Sequence, residues 1–257
     1  NTFVGLAGSW GTFLVGRHDT PLKISTGKLD MFADTMADYN GPLGFNDIRA
    51  DNAIAYISPS FSGFQFAGAV HAGGGALTEG GYSVESDSLA EAYSVAAIYS
   101  NGPFYGSVAY ESLSEDMSIC NGDTEIVVTP VGSYERNPCG DFNKWRIGLG
   151  LLDWNGFSLT GIYEDRSNQS TGRTALPPPP RGFVNGLDQT SWQVQAGYAF
   201  GNNMIKASYG ALDRDSDDDN NLIDDITDFD FDADLNQWTI AFDHNFSKRT
   251  KVYALYN

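Results

Sequence analysis

Apolar and polar residues alternate along many short stretches of this chain. Over 190–200, for example, Trp192, Val194 and Tyr198 share one parity, and Gln193 and Gln195 share the other. A period of two predicts β-strands with one apolar face. The alternation predicts twelve such strands, over 1–9, 11–18, 48–59, 62–72, 90–100, 103–112, 142–153, 155–165, 190–200, 203–212, 235–246 and 249–257.

Short turns and long polar segments connect these strands in strict alternation. The short turns carry an aromatic residue, as in GSWG at 8–11 and DWNG at 153–156. The long segments lie at 18–47, 73–89, 113–142, 166–189 and 213–234. This order is typical of antiparallel strands that are joined by short turns at one end of the sheet and by long loops at the other end. It predicts an all-β antiparallel fold.

Two all-β architectures fit the alternation. A soluble sandwich buries one face of each sheet, and a transmembrane β-barrel exposes its apolar face to lipid. Strands of about ten residues, with aromatic residues gathered at their ends, favour the barrel. A closed barrel also satisfies every backbone polar group within lipid.

The longest structured connection, 18–47, is flanked by Arg17 and Arg49. Within it, 27–39 has a helical period that places Leu29, Phe32 and Met36 on one face and Asp30, Asp34 and Asp38 nearly opposite. Gly41-Pro42 ends this pattern. We therefore expect a short helix with its apolar face against a wall and three carboxylates turned toward water. A long loop with its own helix is usually functional.

Composition and charge narrow the function. The formal net charge of -18 and a pI near 4.2 argue against nucleic acid or an anionic membrane surface as a partner. No enzyme motif stands out: there is no nucleophile elbow, no metal-type Cys/His spacing and no phosphate-binding glycine loop. We expect a protein that is not an enzyme. The chain starts and ends within strand-like patterns, so we expect a fragment of a longer protein.

Two of the long segments carry candidate chemistry. Cys120 and Cys139, the only cysteines, lie in one segment, and a disulfide between them is expected for a protein of an oxidising compartment. The segment 213–234 holds eleven Asp and one Arg. Its spacing resembles a calcium loop, with candidate ligands Asp213, Asp215, Asp217, Asp219 and Asp224. The sixth position is Asp218 instead of Gly, so a solvated acidic loop that binds divalent ions diffusely is an equal alternative.

Four stretches resemble the general porins of Gram-negative outer membranes, most closely the neisserial and related proteobacterial branch. They are FVGLAGSWGTFLVGRHDT, the aspartate-bearing loop at 18–47, RADNAIAYISPSFSGFQFAGAV and SKRTKVYALYN. The resemblance extends over the whole chain. It implies a homotrimeric barrel of 16 strands whose third external loop folds into the pore. Residues 1–257 would then be one barrel domain covering strands four to fifteen, without the first three strands and the last.

The resemblance also assigns roles to residues. It implies that Arg17 and Arg49 lie on the barrel wall at the pore constriction and that Asp30, Asp34 and Asp38 face them. Alternation places Arg17 on the face of Val15, so we expect either a bulge at Gly16 or an end of the regular strand before Arg17. Further lumen-lining candidates by parity are Lys144, Arg146, Lys206, Glu111, Glu164 and Asp243.

The implied function is passive diffusion of ions and small hydrophilic solutes through a water-filled channel in the outer membrane. Outer-membrane lipid and lipopolysaccharide would surround it, and no cofactor would be required. Because the acidic segment 213–234 lies at the pore mouth on this template, we expect modest cation selectivity. The alternative function is a secreted all-β adhesin or binding module that uses the acidic loops for calcium-dependent contact.

Overall fold

A computed structural model describes residues 1–45, 47–72, 76–77, 82–83, 89–90, 92–113, 125–129, 132–136, 142–169, 187–216 and 233–257. Twelve antiparallel strands form one sheet in the order β1-β2-β3-β4-β7-β8-β11-β12-β13-β14-β15-β16, with β1 and β16 at its edges. These strands are β1 (Thr2–Gly8), β2 (Gly11–Asp19), β3 (Arg49–Ile57), β4 (Phe64–His71), β7 (Ala92–Asn101), β8 (Phe104–Leu113), β11 (Phe142–Trp154), β12 (Phe157–Gln169), β13 (Leu187–Phe200), β14 (Asn203–Ser216), β15 (Ala233–Ser247) and β16 (Thr250–Tyr256).

Smaller elements lie in the long connections. Two hairpins pair β5 (Ala76–Leu77) with β6 (Tyr82–Ser83), and β9 (Glu125–Thr129) with β10 (Gly132–Arg136). One helix, α1 (Pro21–Thr26), follows β2. Within the described part of the chain, no helix has the length and apolar character needed to cross a membrane.

The twelve predicted strands are confirmed, because each matches a strand of the large sheet within a few residues. The short connections are also as predicted. Where β11 turns into β12, Asp153 near the end of β11 has a φ of 51°, and Asn155 and Gly156 of the turn have φ values of 52° and 86°. Asp, Asn and Gly tolerate this left-handed backbone better than other residues, which explains why they occupy a turn this tight.

The apolar face of the sheet is exposed and its polar face is buried. On β15, Trp238 and Ile240 are more than half exposed, whereas Thr239 and Asp243 on the opposite face are buried. A soluble sandwich would bury the apolar face and wet the polar one. Large exposed apolar surfaces mark contact with lipid or protein, and alternating strands with an apolar outer face are the signature of outer-membrane barrels. We call the polar, buried side of the sheet the inner face.

The predicted helix over 27–39 is wrong. The helix lies earlier, at Pro21–Thr26, where Pro21 begins the first turn and the Lys23 N–H donates to the capping Thr20 hydroxyl. Beyond it, the Asp30 and Asp38 carboxylates accept from backbone N–H groups two residues on, at 2.8 and 2.9 Å. Such local bonds compete with helix formation. Asp34 also has a φ of 61°, so the chain turns repeatedly here and is not helical.

A bulge interrupts the pairing of β2 with β3. Gly16 pairs with Ala53 and His18 with Ala50, so β3 contains one extra residue opposite Arg17. Asn52 in this bulge has a φ of 54°. The register thus shifts directly after Gly16, where a bulge was expected, and the extra residue belongs to β3. In the regular β1–β2 pairing, Arg17 still shares the face of Val15.

Candidate functional site

The connection between β2 and β3, residues 20–48, is packed on the inner face of the sheet, and we call it the inner loop. Its first turn reaches β7, where the Leu22 N–H donates to the Ser94 hydroxyl at 3.1 Å. It then crosses β8, where the Tyr105 hydroxyl donates to the Ser25 carbonyl at 2.7 Å. Farther along, the loop reaches β12, where the Thr160 hydroxyl donates to the Leu29 carbonyl at 2.8 Å. The loop therefore folds inward across the sheet instead of projecting beyond its end.

Apolar side chains of the loop fill gaps that glycines leave on the wall. A Cβ atom at Gly148 or Gly150 of β11 would lie 2.5 or 2.7 Å from the Leu29 methyl groups. A Cβ atom at Gly210 of β14 would lie 2.5 Å from a methyl group of Leu43. Leu29 and Phe32 are fully buried, as expected for the apolar side of the loop. Met36 is 81% exposed, so its predicted packing against the wall is wrong.

Arg146 on β11 fixes the base of the loop. Its side chain is fully buried, and its Nε donates to Glu164 of β12 at 2.7 Å. Its Nη1 donates to the Thr26 hydroxyl at 2.9 Å and to Asp47 at 2.6 Å, which connects the two ends of the loop. The guanidinium also lies 5.6 and 5.5 Å from the ring centroids of Tyr39 and Phe45. A buried charge is tolerable only when it is paired in this way.

Lys206 on β14 fixes the middle of the loop. Its Nζ pairs with Asp243 of β15 at 3.0 Å and donates to the Met31 carbonyl at 2.6 Å. It also lies 4.8 Å from the ring centroid of Phe32. This lysine therefore binds the wall and the loop at once, through a carboxylate, a carbonyl and an aromatic ring.

The predicted lumen-lining charges lie on the inner face, but the inner loop covers most of them. Lys144 and Glu111 pair at 2.8 Å, and both are almost fully buried. Arg146, Glu164, Lys206 and Asp243 are buried in the networks just described. Their geometry is that of anchors beneath a loop and not of side chains in open water.

The structure brings Arg17 and Arg49 to other carboxylates than those proposed from sequence. Arg17 pairs with Asp51 at 3.4 Å, and Arg49 pairs with Asp19 at 2.8 Å. Lys23 of α1 approaches the same Asp19 at 3.5 Å. These pairs surround the point at which the inner loop leaves the sheet and returns to it.

The three loop aspartates have different surroundings. Asp34 is exposed and Asp38 is partly exposed, whereas Asp30 accepts a hydrogen bond from Gln195 of β13 at 3.0 Å. Burial raises the pKa of Asp30 to about 6, against the opposing effect of its hydrogen bonds from Gln195 and Phe32. Burial alone would also raise the pKa of Asp47, but Arg146 holds that pKa below its usual value.

Several site residues were missed by sequence reasoning. Asp47 is the carboxylate that ties the returning end of the loop to Arg146. Arg166, 3.6 Å from Glu164, shares the parity of Glu164 and could have been found by extending that strand. Three polar residues of β13, Gln189, Ser191 and Gln195, contact the loop backbone directly. Nothing in their pattern distinguishes them from ordinary inward-facing residues.

The predicted disulfide and much of the predicted calcium site fall outside the described residues. Cys120, Cys139, Asp217, Asp219 and Asp224 all lie there. Asp213 is an exposed residue of β14, and of Asp215 the structure describes only the backbone. Among the residues that are described, no group of three or more His, Cys, Asp or Glu side chains could hold a metal ion.

Comparison with solved structures gives the fold. An anion-selective porin from Comamonas acidovorans superimposes with a TM-score of 0.58 at 19% identity, covering 98% of this chain and 64% of that porin. OmpF of Salmonella typhi, in complex with daunomycin, gives a TM-score of 0.65 at 15% identity, covering 98% of this chain and 68% of OmpF. These likenesses place the sheet and its inner loop in the porin fold.

Sequence comparison gives the family. An outer membrane porin protein of Bordetella pertussis is 30% identical over 149 residues, which are 55% of this chain and 37% of that protein. This chain thus spans less than two thirds of the Bordetella and Comamonas proteins. The sequence profile of the Gram-negative porins matches residues 1–257. Porins are outer-membrane channel proteins that catalyse no reaction and need no cofactor. The chain therefore belongs to the Gram-negative porin family.

Proposed function

We propose that the complete protein is a water-filled channel for passive diffusion of ions and small hydrophilic solutes across the outer membrane. The observation that carries this proposal is the inner loop, which is packed on the polar face of a sheet whose other face is apolar. A segment that projects into the enclosed space narrows it, so solutes would be sorted by size and charge at this level. The same sheet and family membership favour a channel over a secreted adhesin.

The narrow passage is proposed to run past the exposed side of the inner loop. Asp34 and Asp38 supply negative charge there, and Lys28 is an exposed cation of the same loop. Arg49 at the base of the loop is the proposed basic side chain at this level, because it shares Asp19 with Lys23 of the loop. Arg17 is left out of this set because it pairs with Asp51 and shares the face of Val15 in the regular β1–β2 pairing. Opposite charges across a narrow, low-dielectric passage create a field that orients dipolar solutes and selects among ions.

The proposed assembly is a homotrimer embedded in outer-membrane lipid and lipopolysaccharide. The exposed aromatic and aliphatic side chains of the outer face support contact with lipid or with other subunits. A trimer should require detergent for extraction and should dissociate on heating. A monomer that is soluble in plain buffer would contradict both the assembly and the channel.

Two features of the long connections complete the proposal. Cys120 and Cys139 form a disulfide, which mass spectrometry of a non-reduced digest would detect as one linked pair of peptides. The segment 213–234 binds calcium, either at a defined site or diffusely along its aspartates. Calcium titration followed by calorimetry separates these two cases, because only a defined site saturates at a fixed stoichiometry.

The decisive experiment is reconstitution of the full-length protein in a planar bilayer. We expect discrete conductance steps that persist at low voltage and a permeation rate for uncharged sugars that falls with sugar size. Purified, folded protein that inserts into the bilayer without conductance steps would refute the channel.

A further inference from the structure

The inner face of β13 carries a run of uncharged polar residues beneath the inner loop. Gln189, Ser191, Gln193 and Gln195 occupy consecutive inward positions, and each is almost fully buried. Buried polar groups require hydrogen-bond partners. On β13, several of these partners are backbone groups of the loop, so the strand contributes more than a wetted wall.

Gln195 holds the outgoing part of the loop with both ends of its amide. Its Oε1 accepts from the Met31 N–H at 2.6 Å, and its Nε2 donates to Asp30 at 3.0 Å. A planar amide that binds two adjacent residues fixes the rotation of the loop as well as its distance from the wall. Gln193 accepts from the Gln195 Nε2 at 2.6 Å and so fixes the orientation of that amide. Gln193 is therefore a positioning residue.

Ser191 and Gln189 hold the returning part of the loop. The Ser191 hydroxyl donates to the Leu43 carbonyl at 3.0 Å, and the Gln189 Nε2 donates to the Gly44 carbonyl at 3.3 Å. The same Nε2 donates to the Ser191 hydroxyl at 2.8 Å, while Arg214 donates to the Gln189 Oε1 at 3.0 Å. The two residues thus form one connected network on the strand.

The segment between these two contacts, residues 32–42, is the most exposed part of the loop and includes Asp34 and Met36. Arg146 donates hydrogen bonds to the loop only near its ends, at Thr26 and Asp47, although its guanidinium also lies against the Tyr39 ring within the exposed segment. By contrast, β13 holds residues 30–31 and 43–44, immediately on either side of the exposed segment. Hydrogen bonds from β13 therefore fix the loop backbone at both ends of that segment.

We infer that the polar face of β13 sets the width of the channel, with Gln195 and Ser191 as the residues that determine how far the segment 32–42 projects. This inference rests on the proposed channel function. Amides and a hydroxyl suit the task because they bind backbone groups without adding a formal charge. The charged groups near the passage can then set ion preference independently of its width.

The test compares three variants of the full-length protein in planar bilayers. Gln195→Met and Ser191→Ala remove the hydrogen bonds to the loop. Each replaces a polar side chain by an apolar one of similar or smaller size. Gln237→Met is the matched control, since Gln237 lies buried on the inner face of β15 and donates to Asn257 at 2.8 Å. The readouts are single-channel conductance, the largest uncharged sugar that permeates, and the thermal stability of the folded protein.

We expect Gln195→Met to raise the fraction of time spent in higher-conductance states about tenfold, which corresponds to ~1.4 kcal/mol. Ser191→Ala should raise the same fraction of time by a smaller factor. The channels of both β13 variants should admit larger sugars than the unmodified channel. Gln237→Met should lower thermal stability without changing conductance or the sugar limit. Because Ser191→Ala is a small change, it tests the inference even if Gln195→Met fails to fold.

Three results would overturn the inference. Unchanged conductance and sugar limit in both β13 variants would show that other contacts hold the loop. An equal shift in the Gln237→Met control would show that loss of any buried amide widens the channel. Absence of conductance from the unmodified, folded protein would instead remove the proposed channel, and the inference with it.

Discussion

Lys206 and Lys251 offer a matched test of how the inner loop is held. Both lysines pair with the same carboxylate, Asp243, at 3.0 and 3.3 Å. They differ in surroundings, since the Lys206 side chain is 3% exposed and the Lys251 side chain 44% exposed. Lys206 also donates to the Met31 carbonyl and lies over the Phe32 ring. Replacing each by Met keeps the aliphatic stem and removes the charge.

The two substitutions should lower the free energy of unfolding by amounts that differ severalfold. Removing one partner of a buried ion pair costs about 3–5 kcal/mol, because the remaining charge is left without compensation. Lys251 still pairs with Asp243 in the Lys206→Met protein, so we expect the lower end of that range, about 3 kcal/mol. An exposed pair contributes ~0–1 kcal/mol, and solvent screening reduces it further, so Lys251→Met should change stability by less than ~1 kcal/mol.

The measurement is the free energy of unfolding in lipid vesicles, followed by tryptophan fluorescence across a denaturant titration. Limited proteolysis gives a second readout, because loss of the bond from Lys206 to the Met31 carbonyl should loosen the loop and increase its cleavage only in Lys206→Met. Equal losses of stability in the two variants would refute the argument from burial. A Lys206→Met protein as stable as the unmodified one would show that the lysine does not hold the loop.

Three further predictions concern packing, pH and ion preference. Gly148→Ala should cost about 1–3 kcal/mol of unfolding free energy by overlap with Leu29, whereas Gly68→Ala, which meets no atom within 4 Å, should change it little. Because the pKa of Asp30 is raised to about 6, its ionisation destabilises the folded state. Stability should therefore fall as pH rises from about 4 to 6, and Asp30→Asn should reduce that fall in a denaturant titration at each pH. The segment 213–234 should give modest cation selectivity that weakens with salt, since the screening length shrinks from about 30 Å at 0.01 M to about 8 Å at 0.15 M. A reversal potential showing anion preference at both low and high salt would contradict this.

The strands could be predicted from sequence because their pattern has a single cause. A strand with one face toward lipid and one toward polar groups must alternate, as Trp238, Thr239 and Ile240 do, whatever its neighbours are. Its length is likewise set by the membrane. The information needed is local, so the alternation alone locates all twelve strands of the large sheet.

The inner loop could not be predicted in the same way, because its conformation depends on distant residues. The period of Leu29, Phe32 and Met36 indicates a helix, yet only the first two are buried. Leu29 lies in the space above Gly148 and Gly150, about 120 residues away in sequence. Local bonds from Asp30 and Asp38 then favour turns. A helical period fixes which side chains share a face only if the backbone is a helix.

The charges near the inner face fall into two groups that should affect ions differently. Arg146, Lys206 and their carboxylate partners are buried beneath the loop. Each positive charge there is largely compensated by the carboxylate with which it pairs. Substituting them would change conductance through movement of the loop. Asp34 is open to solvent, so its substitution should change selectivity with little effect on stability. A variant that alters selectivity and leaves unfolding unchanged therefore identifies a charge of the passage, and one that alters both identifies an anchor.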